Sequence, residues 1–377
     1  MKALFCGFFD PFTLGHKEVV GQALKKYDEV IINIGFNENK QAMFSVEERM
    51  KLITDALNDC PNRERIRLNA DPRMTIDIAA NLGANILIRG IRQGSSDFES
   101  EQNLAQVNAH LAAIRGFELK TDFIVQQNPF LCSISSSSVK RLCEMKEFIA
   151  AASFVPENVH KKLMEIYLYP LWQSLFVPDC PQAKEFWQQL VTMYNARSYH
   201  SLSHLGYMFN MLKIYLNQPA VFPDFSAYKN LVLAIFLHDI VHEIGDKEKD
   251  NEAASAAWGE RLLPYLVADI SLPEVKKLIM ATTHKQEDLS GEQALIADLD
   301  LALFGVGEKL ILKRINHQIR QEYLTVDDQS YNQNRKELLS RFLKRPRIFQ
   351  TEFFYRRFEQ LARKNIEHQI LGTCNIS

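Results

Sequence analysis

Apolar positions over the first 170 or so residues fall into short continuous runs separated by stretches of three-to-four spacing. Ala3 to Cys6 and Glu29-Val30-Ile31-Ile32-Asn33-Ile34 have the length and apolar content of buried strands, and Val19, Val20, Ala23 and Leu24 mark an amphipathic helix between them. A strand, helix and strand within about 35 residues predict a right-handed crossover and a parallel sheet. Ile66 to Leu68 predict a further strand, Thr75 to Leu82 a helix and Asn85 to Ile88 a strand, after which Arg89-Gly90-Ile91-Arg92 is expected to leave the sheet. Asp97 to Asn108 follow as helix and Phe123 to Val125 as the last strand. Ser45-Val46-Glu47-Glu48 is a capping box that opens a helix, and the row Ile134-Ser135-Ser136-Ser137-Ser138-Val139-Lys140 opens another.

Past Tyr167 the pattern changes. Pro170, Pro178 and Pro181 punctuate a short connector, and from there the spacing is helical almost to the end, as in Trp187, Leu190, Val191 and Tyr194 or Phe209, Leu212, Ile214 and Tyr215. The predicted organisation is an α/β domain over residues 1–167, a connector over 168–186 and an all-α domain over 187–377.

Composition narrows the setting. A chain of 377 residues is too long for one ordinary core, which agrees with two domains. No apolar run approaches the ~20 residues that span a bilayer, and Asp10-Pro11 interrupts the N-terminal apolar patch before a secretory segment could form, so the expected compartment is the cytoplasm. Forty-four basic against 46 acidic residues give a net charge of -2 without long runs of one sign, so neither nucleic acid nor a membrane surface is an expected partner. The six cysteines have no metal or redox spacing and read as reduced thiols.

The chemistry of the first domain gathers in Gly7-Phe8-Phe9-Asp10-Pro11-Phe12-Thr13-Leu14-Gly15-His16, a strand end, a tight turn and a first helical turn. His16 is placed near a helix N-terminus, where unpaired backbone N–H groups and the positive end of the helix dipole favour a phosphate beside the imidazole. A lone histidine at such a turn is more often structural; the surrounding Gly, Asp-Pro and Thr-x-Gly-His tilt the reading toward phosphate. Lys40 lies in a polar loop after a parallel strand, from which a lysine can reach a phosphate. Arg89 and Arg92, split by Gly90, suit a polyphosphate or a structural ion pair. The serine row serves as capping or, beside the arginines, as a second phosphate cradle.

These segments resemble the nucleotidylyltransferase superfamily, and phosphopantetheine adenylyltransferases within it. The likeness runs from Met1 to about Tyr167 and includes Met43-Phe44-Ser45-Val46-Glu47-Glu48-Arg49, Leu87-Ile88-Arg89-Gly90-Ile91-Arg92, Ser96-Asp97-Phe98-Glu99, Ile134-Ser135-Ser136-Ser137 and Val155-Pro156-Glu157-Asn158-Val159. The resemblance implies a Rossmann-like nucleotidylyltransferase domain in which the phosphate of 4′-phosphopantetheine attacks the α-phosphorus of ATP, carried with Mg2+, to give dephospho-coenzyme A and pyrophosphate. By the match, His16 stabilises the transition state and Lys40 and Arg89 hold the substrate phosphate, these three being the catalytic set. Phe8 and Thr75 line the acceptor site. Phe9, His16, Gly90, Ile91, Arg92, Glu101, Ser133, Ser135, Ser136 and Ser137 bind ATP. Enzymes of this kind assemble as homo-oligomers through this domain. The chain departs from the family at Phe8, where a threonine or serine is usual, at Ala109 in place of an arginine, and by an extra residue between Arg92 and Asp97.

In the second domain, chemistry-bearing residues cluster in Tyr199-His200-Ser201-Leu202-Ser203-His204, Ile235-Phe236-Leu237-His238-Asp239 and Asp298-Leu299-Asp300-Leu301. An adjacent His and Asp in an apolar helix are costly to bury unless paired, and an upstream His with a downstream Asp on separate helices favours a divalent metal as the partner. These motifs resemble the HD phosphohydrolase superfamily, making this an all-α HD domain with His204, His238, Asp239 and Asp300 as metal ligands. Mixed imidazole and carboxylate donors suit Mn, Fe, Ni or Co. Asn251-Glu252-Ala253-Ala254-Ser255-Ala256, Thr282-Thr283-His284, Ile319-Arg320-Gln321-Glu322-Tyr323 and Ala362-Arg363-Lys364-Asn365 extend the likeness to a branch of predicted metal-dependent HD hydrolases. His200 and His284 read as supporting groups or phosphate donors, Glu252 as a proton carrier, and His242-Glu243 departs from the tyrosine and aspartate of the pattern.

The expected protein is a bifunctional enzyme, an adenylyltransferase joined to a metal-dependent phosphohydrolase. The alternatives are a first domain that senses a nucleotide and regulates the hydrolase, or one that serves another phosphorylated acceptor.

Overall fold

Five strands, β1 (Lys2–Gly7), β2 (Glu29–Ile34), β3 (Ile66–Ala70), β4 (Ile86–Ile91) and β5 (Lys120–Val125), form one parallel sheet in the order β3-β2-β1-β4-β5. The structure is a computed structural model that describes all residues except 37–40, 92–96, 127, 133–134, 219–223, 245–249, 287 and 373–377. Lys40, Arg92 and Ser133 lie outside the described residues. The chain divides into two compact units, residues 1–145 with 150–160 and residues 146–149 with 161–377.

In the first unit the helices between the strands are α1 (Leu14–Ala23), α2 (Val46–Ala56), α3 (Thr75–Leu82) and α4 (Asp97–Ile114), followed by the short α5 (Pro129–Cys132) and α6 (Ser136–Glu144); α7 (Phe148–Ala152) has residues in both units. Period-two alternation gives the sheet two apolar faces. Phe5, Ile32 and Ile88 point to one core with Val19, Val20 and Ile53, and Leu4, Ile31 and Leu87 point to the other with Ile76, Ala79 and Leu119. Each such side chain contributes about 1.5–3 kcal/mol by leaving water. The strand order reverses between β1 and β4, which opens a crevice at their carboxyl ends.

Two expectations need correction. Arg89, Gly90 and Ile91 stay in the sheet, opposite Phe123, Ile124 and Val125, so β4 carries its arginine as a strand residue. Gly90 is compatible with that position because a Cβ there would come within 2.9 Å of Val19 Cγ2. The division between units falls after His160 instead of Tyr167, and the stretch read as a connector is largely helical, with Pro170 inside α8 (Glu157–Gln173). Burial outweighs the proline: Trp172 is fully buried among Phe176, Trp187 and Phe236, and its indole N–H donates to the Ala183 carbonyl at 2.8 Å.

The second unit is helical: α9 (Pro181–Asn195), α10 (Leu202–Leu216), α11 (Phe225–Leu237), α12 (Asn251–Gly259), α13 (Leu272–Ala281), α14 (Gly291–Leu301), α15 (Lys309–Glu322), α16 (Asp328–Lys344) and α17 (Glu352–Ile370). Helix α11 is buried from Asn230 to Leu237 and α10 from Leu202 to Leu212, so both are apolar nearly all round, the mark of central helices. His238 caps the C-terminus of α11 and Asp239 follows it. The pair was expected inside a helix; at the end it meets the partial negative charge of the last carbonyls, which favours a cation there. Among the described residues no helix is long and apolar enough to cross a membrane.

Candidate functional sites

In the first unit, Thr13 is the N-cap of α1 and His16 completes a capping box. The Thr13 side chain accepts from the His16 backbone N–H at 3.3 Å, and the His16 ring Nδ1 accepts from the Thr13 backbone N–H at 3.0 Å. With Nδ1 occupied as an acceptor, the neutral ring carries its proton on Nε2. Phe9 meets the ring edge-on, with centroids 5.1 Å apart, and Phe12 lies at 5.5 Å. Phe9 itself has φ +49, uncommon for a bulky residue, and its ring covers Gly7, where a Cβ would come within 2.6 Å of it.

His16, Phe8 and Phe9 line two recesses. One, of about 430 Å³, is also bounded by Cys6, Arg89, Gly90, Glu101 and Gln126 at the β1 and β4 strand ends. The other, of about 210 Å³, is bounded by Asp10, Ser135, Ser136, Ser137 and Lys140. Ser135 caps α6 by accepting from the Ser138 N–H, and the Ser136 hydroxyl donates to the Pro11 carbonyl at 2.8 Å. Thr75, the first residue of α3, hydrogen-bonds the Cys6 thiol, while burial pushes that thiol up to about 11. Ile91 is buried at the end of β4.

The substrate phosphate role expected for Arg89 meets a rival contact. Its Nε and Nη2 donate to the two oxygens of Glu101 at 2.6 and 2.8 Å, a bidentate pair about a quarter exposed on each side. Sequence reasoning named both residues without pairing them. It also missed three supports of the motif. Buried Asp10 accepts from the Met43 and Phe44 backbone amides at 2.9 and 3.1 Å and pairs with Lys140 at 3.0 Å. The Arg49 guanidinium donates to the Phe8 carbonyl at 2.8 Å and lies over the Phe8 ring at 4.8 Å. Asp10, Arg49 and Lys140 all stand inside the quoted motifs, but only as turn or helix residues.

In the second unit the four residues expected as ligands come together from α10, the end of α11 and α14. His204 Nε2 lies 3.1 Å from Asp300 Oδ1 and 3.3 Å from His238 Nε2, and His238 Nε2 lies 3.0 Å from Asp239 Oδ2. His238 Nδ1 donates to the Ile235 carbonyl at 2.9 Å, which aims the Nε2 lone pair into the cluster. His284 Nε2 donates to Asp300 Oδ2 at 2.8 Å, leaving Oδ1 to face the histidines. Burial acts to lower the His238 pKa, but Asp239 and Asp300 outweigh it and push it up to about 9; burial pulls His204 down. His204, His238 and Asp300 offer ligand atoms within 4.8 Å of one another, a donor set that fits a divalent cation, while Asp239 stands outside that group with its Oδ2 3.0 Å from His238 Nε2.

A second group stands beside the first. Glu322, at the end of α15, takes the Tyr199 and His200 backbone amides on Oε1 at 2.5 and 2.8 Å and presents Oε2 to His200 Nδ1 at 2.6 Å. The His242 ring lies 3.9 Å from that of His200, and His200 Nε2 is 3.9 Å from Asp239 Oδ2. Glu322 holds the carboxylate position that fixes the His200 tautomer. Sequence reasoning quoted Glu322 only as part of a motif, since its partner is more than a hundred residues away. His200 and His242 edge a cavity of about 960 Å³ whose other walls include Tyr199, Tyr323, Tyr331 and Arg335.

Residues 4–142 match the cytidylyltransferase-like family. The phosphopantetheine adenylyltransferase of Bacteroides thetaiotaomicron is 40% identical over 158 residues, covering 42% of this chain and 97% of its own length. That of Porphyromonas gingivalis is 41% identical over 156 residues, covering 41% and 94%. A solved structure of Plasmodium falciparum nicotinic acid mononucleotide adenylyltransferase complexed with NaAD has a TM-score of 0.33 and 15% identity over 44% of this chain and 96% of that one, too remote a likeness to bear on the site. The helical second unit lies beyond the matched segment. With nearly the whole of these curated relatives aligned to its first unit, the chain belongs to the phosphopantetheine adenylyltransferase family.

Proposed function

We propose that the chain is a bifunctional enzyme whose first unit transfers adenylate from ATP to 4′-phosphopantetheine, giving dephospho-coenzyme A and pyrophosphate, and whose second unit is a metal-dependent phosphohydrolase of the HD type. The observation that carries the first reading is the placement of His16 at the junction of the two recesses with its proton on Nε2. The acceptor phosphate occupies the recess beside Arg89, and the nucleotide the one beside the α6 N-terminus, where Ser137 and the first amides of the helix face phosphate oxygens. The acceptor oxygen attacks the α-phosphorus directly as pyrophosphate leaves. His16 donates from Nε2 to the transferring phosphoryl group as charge builds on it. Mg2+ bound with ATP supplies neutralising charge on the polyphosphate.

The second reading is supported by the close approach of His204, His238 and Asp300, with Asp239 beside His238. A divalent cation held there supplies Lewis-acid polarisation of a phosphoryl oxygen and a lowered pKa for water. Glu322 and His284 orient His200 and Asp300 toward that point, and His200 Nε2 is placed to donate a proton to a leaving oxygen.

The Arg89–Glu101 pair and the Phe8 ring also support a different reading, in which the first unit senses a nucleotide instead of turning it over. Incubation of the full chain with ATP, magnesium and 4′-phosphopantetheine separates the two. Release of pyrophosphate with dephospho-coenzyme A supports the transferase, and nucleotide binding without either product supports the sensor. Hydrolysis of phenyl phosphate by the manganese-loaded chain tests the second unit.

A further inference from the structure

Three arginines on the last helices of the second unit have carboxylate partners: Arg320 pairs with Asp328 at 2.6 Å, Arg363 with Glu359 at 2.7 Å and Arg356 with Glu352 at 2.5 Å. Arg335, on α16, differs. Among the described residues no carboxylate pairs with it. Its Nη2 donates to the neutral Gln369 Oε1 at 3.2 Å, and its guanidinium stands 5.9 Å from the Phe304 ring centre. Tyr199, Tyr323 and Tyr331 line the same cavity as Arg335. A guanidinium does not shed its charge at accessible pH, so this is a fixed, half-buried positive charge that no carboxylate pairs among the described residues.

Arg335 lines the same 960 Å³ cavity as His200 and His242. Tyr199 borders both the His-Asp cluster and this cavity, with its ring 5.1 Å from that of His204 and its side chain on the wall of the cavity that Arg335 lines. Of the acidic residues on the cavity wall, Asp327 is engaged as the N-cap of α16, accepting from the Ser330 N–H, and Glu243 lies near Asn251, whose side chain accepts from its backbone N–H at 3.1 Å.

We propose that Arg335, with the hydroxyls of Tyr199, Tyr323 and Tyr331, is a second anion-recognition point in this cavity, so that the ligands of the second unit are phosphate esters bearing a further anionic group. This deepens the phosphohydrolase reading and rests on it for turnover, though not for binding. The phosphoryl end lies beside His200, which edges the cavity with its Nε2 3.9 Å from Asp239 Oδ2, and the second anion forms charge-assisted hydrogen bonds with the guanidinium, while the aromatic rings flank the body between them.

The test compares two matched esters, 4-carboxyphenyl phosphate and phenyl phosphate, on the full manganese-loaded chain. The wild type is expected to favour the carboxylated ester by about tenfold in kcat/KM. Arg335→Gln should erase that preference through KM and leave phenyl phosphate turnover unchanged. Arg335→Lys, which keeps the charge, should retain part of the preference and guards against misreading a folding defect. Equal use of both esters by the wild type, or equal loss of both in Arg335→Gln, overturns the proposal. A binding arm uses the non-hydrolysable 4-carboxybenzylphosphonate and benzylphosphonate in calorimetry. If the chain hydrolyses neither ester yet binds the carboxylated phosphonate more tightly in an Arg335-dependent way, the anion site stands and the hydrolase reading falls. If it binds both phosphonates alike, the anion site falls.

Discussion

The Nδ1 of His16 accepts the Thr13 backbone hydrogen at 3.0 Å, so one backbone amide sets which end of the imidazole donates. A ring bound at Nδ1 in this way offers Nε2–H to any phosphoryl oxygen in either adjoining recess.

His16→Ala is therefore expected to lower kcat for dephospho-coenzyme A formation by about 10²–10³-fold, the range for loss of one donor to a transition-state charge. ATP affinity should change far less. Steady-state kinetics together with nucleotide titration check this, and parallel losses in both would reduce His16 to a binding residue.

Phe8 lines the recess beside His16, and it lies under Arg49. Phe8→Thr should raise kcat/KM for 4′-phosphopantetheine by supplying a hydroxyl to its phosphate, at a stability cost of about 0.5–1 kcal/mol from the lost contact with the guanidinium. Kinetics and thermal melts of both proteins measure the two effects. A fall in kcat/KM would assign the ring a positive role in the acceptor site.

Asp239→Ala should remove bound metal and phosphatase activity together while leaving adenylyl transfer unchanged, because the two sites belong to different units. Elemental analysis of wild type and variant is the measurement. Stoichiometric metal retained by the variant would move the ligand set elsewhere.

The His238 pKa, pushed up to about 9 against an ordinary value of 6.5, fixes a pH signature for the metal-free chain. A raised histidine stabilises the fold fully below pH 6.5, and that contribution is lost as pH rises through about 9. Metal binding needs the neutral imidazole, so the stabilisation conferred by manganese should grow over the same window. Melting curves of chelated and manganese-loaded protein between pH 6 and 9.5 give both slopes. A manganese increment that is flat with pH would exclude His238 as a ligand.

Much of the local structure was legible because local chemistry writes it. The bounds of Glu29–Ile34 and Thr75–Leu82 follow from apolar period and flanking breakers, and the Ser45 capping box with Glu48 is present as its spacing predicts. The motif likeness singled out His204, His238, Asp239 and Asp300, and three of them, His204, His238 and Asp300, offer ligand atoms within 4.8 Å of one another. What escaped was decided at a distance. Arg89 stays in the sheet because β5 offers it a partner strand, and Trp172 draws the proline-bearing stretch into a core that no local rule reveals. Glu322 and Arg335 gain meaning only from residues that the fold brings beside them, in one case a partner and in the other a cavity.

The tethers of Asp10 have a mechanical consequence. This carboxylate holds Lys140 of α6 and the amides of Met43 and Phe44, and Ser136 holds Pro11 from the same helix, so the motif turn, the start of α2 and α6 are bolted into one frame. The opposite side of the cleft is held by the Arg89–Glu101 contact between β4 and α4. The two sides of the cleft are therefore tied differently: separate contacts brace the turn, α2 and α6, whereas one bidentate ion pair joins β4 to α4.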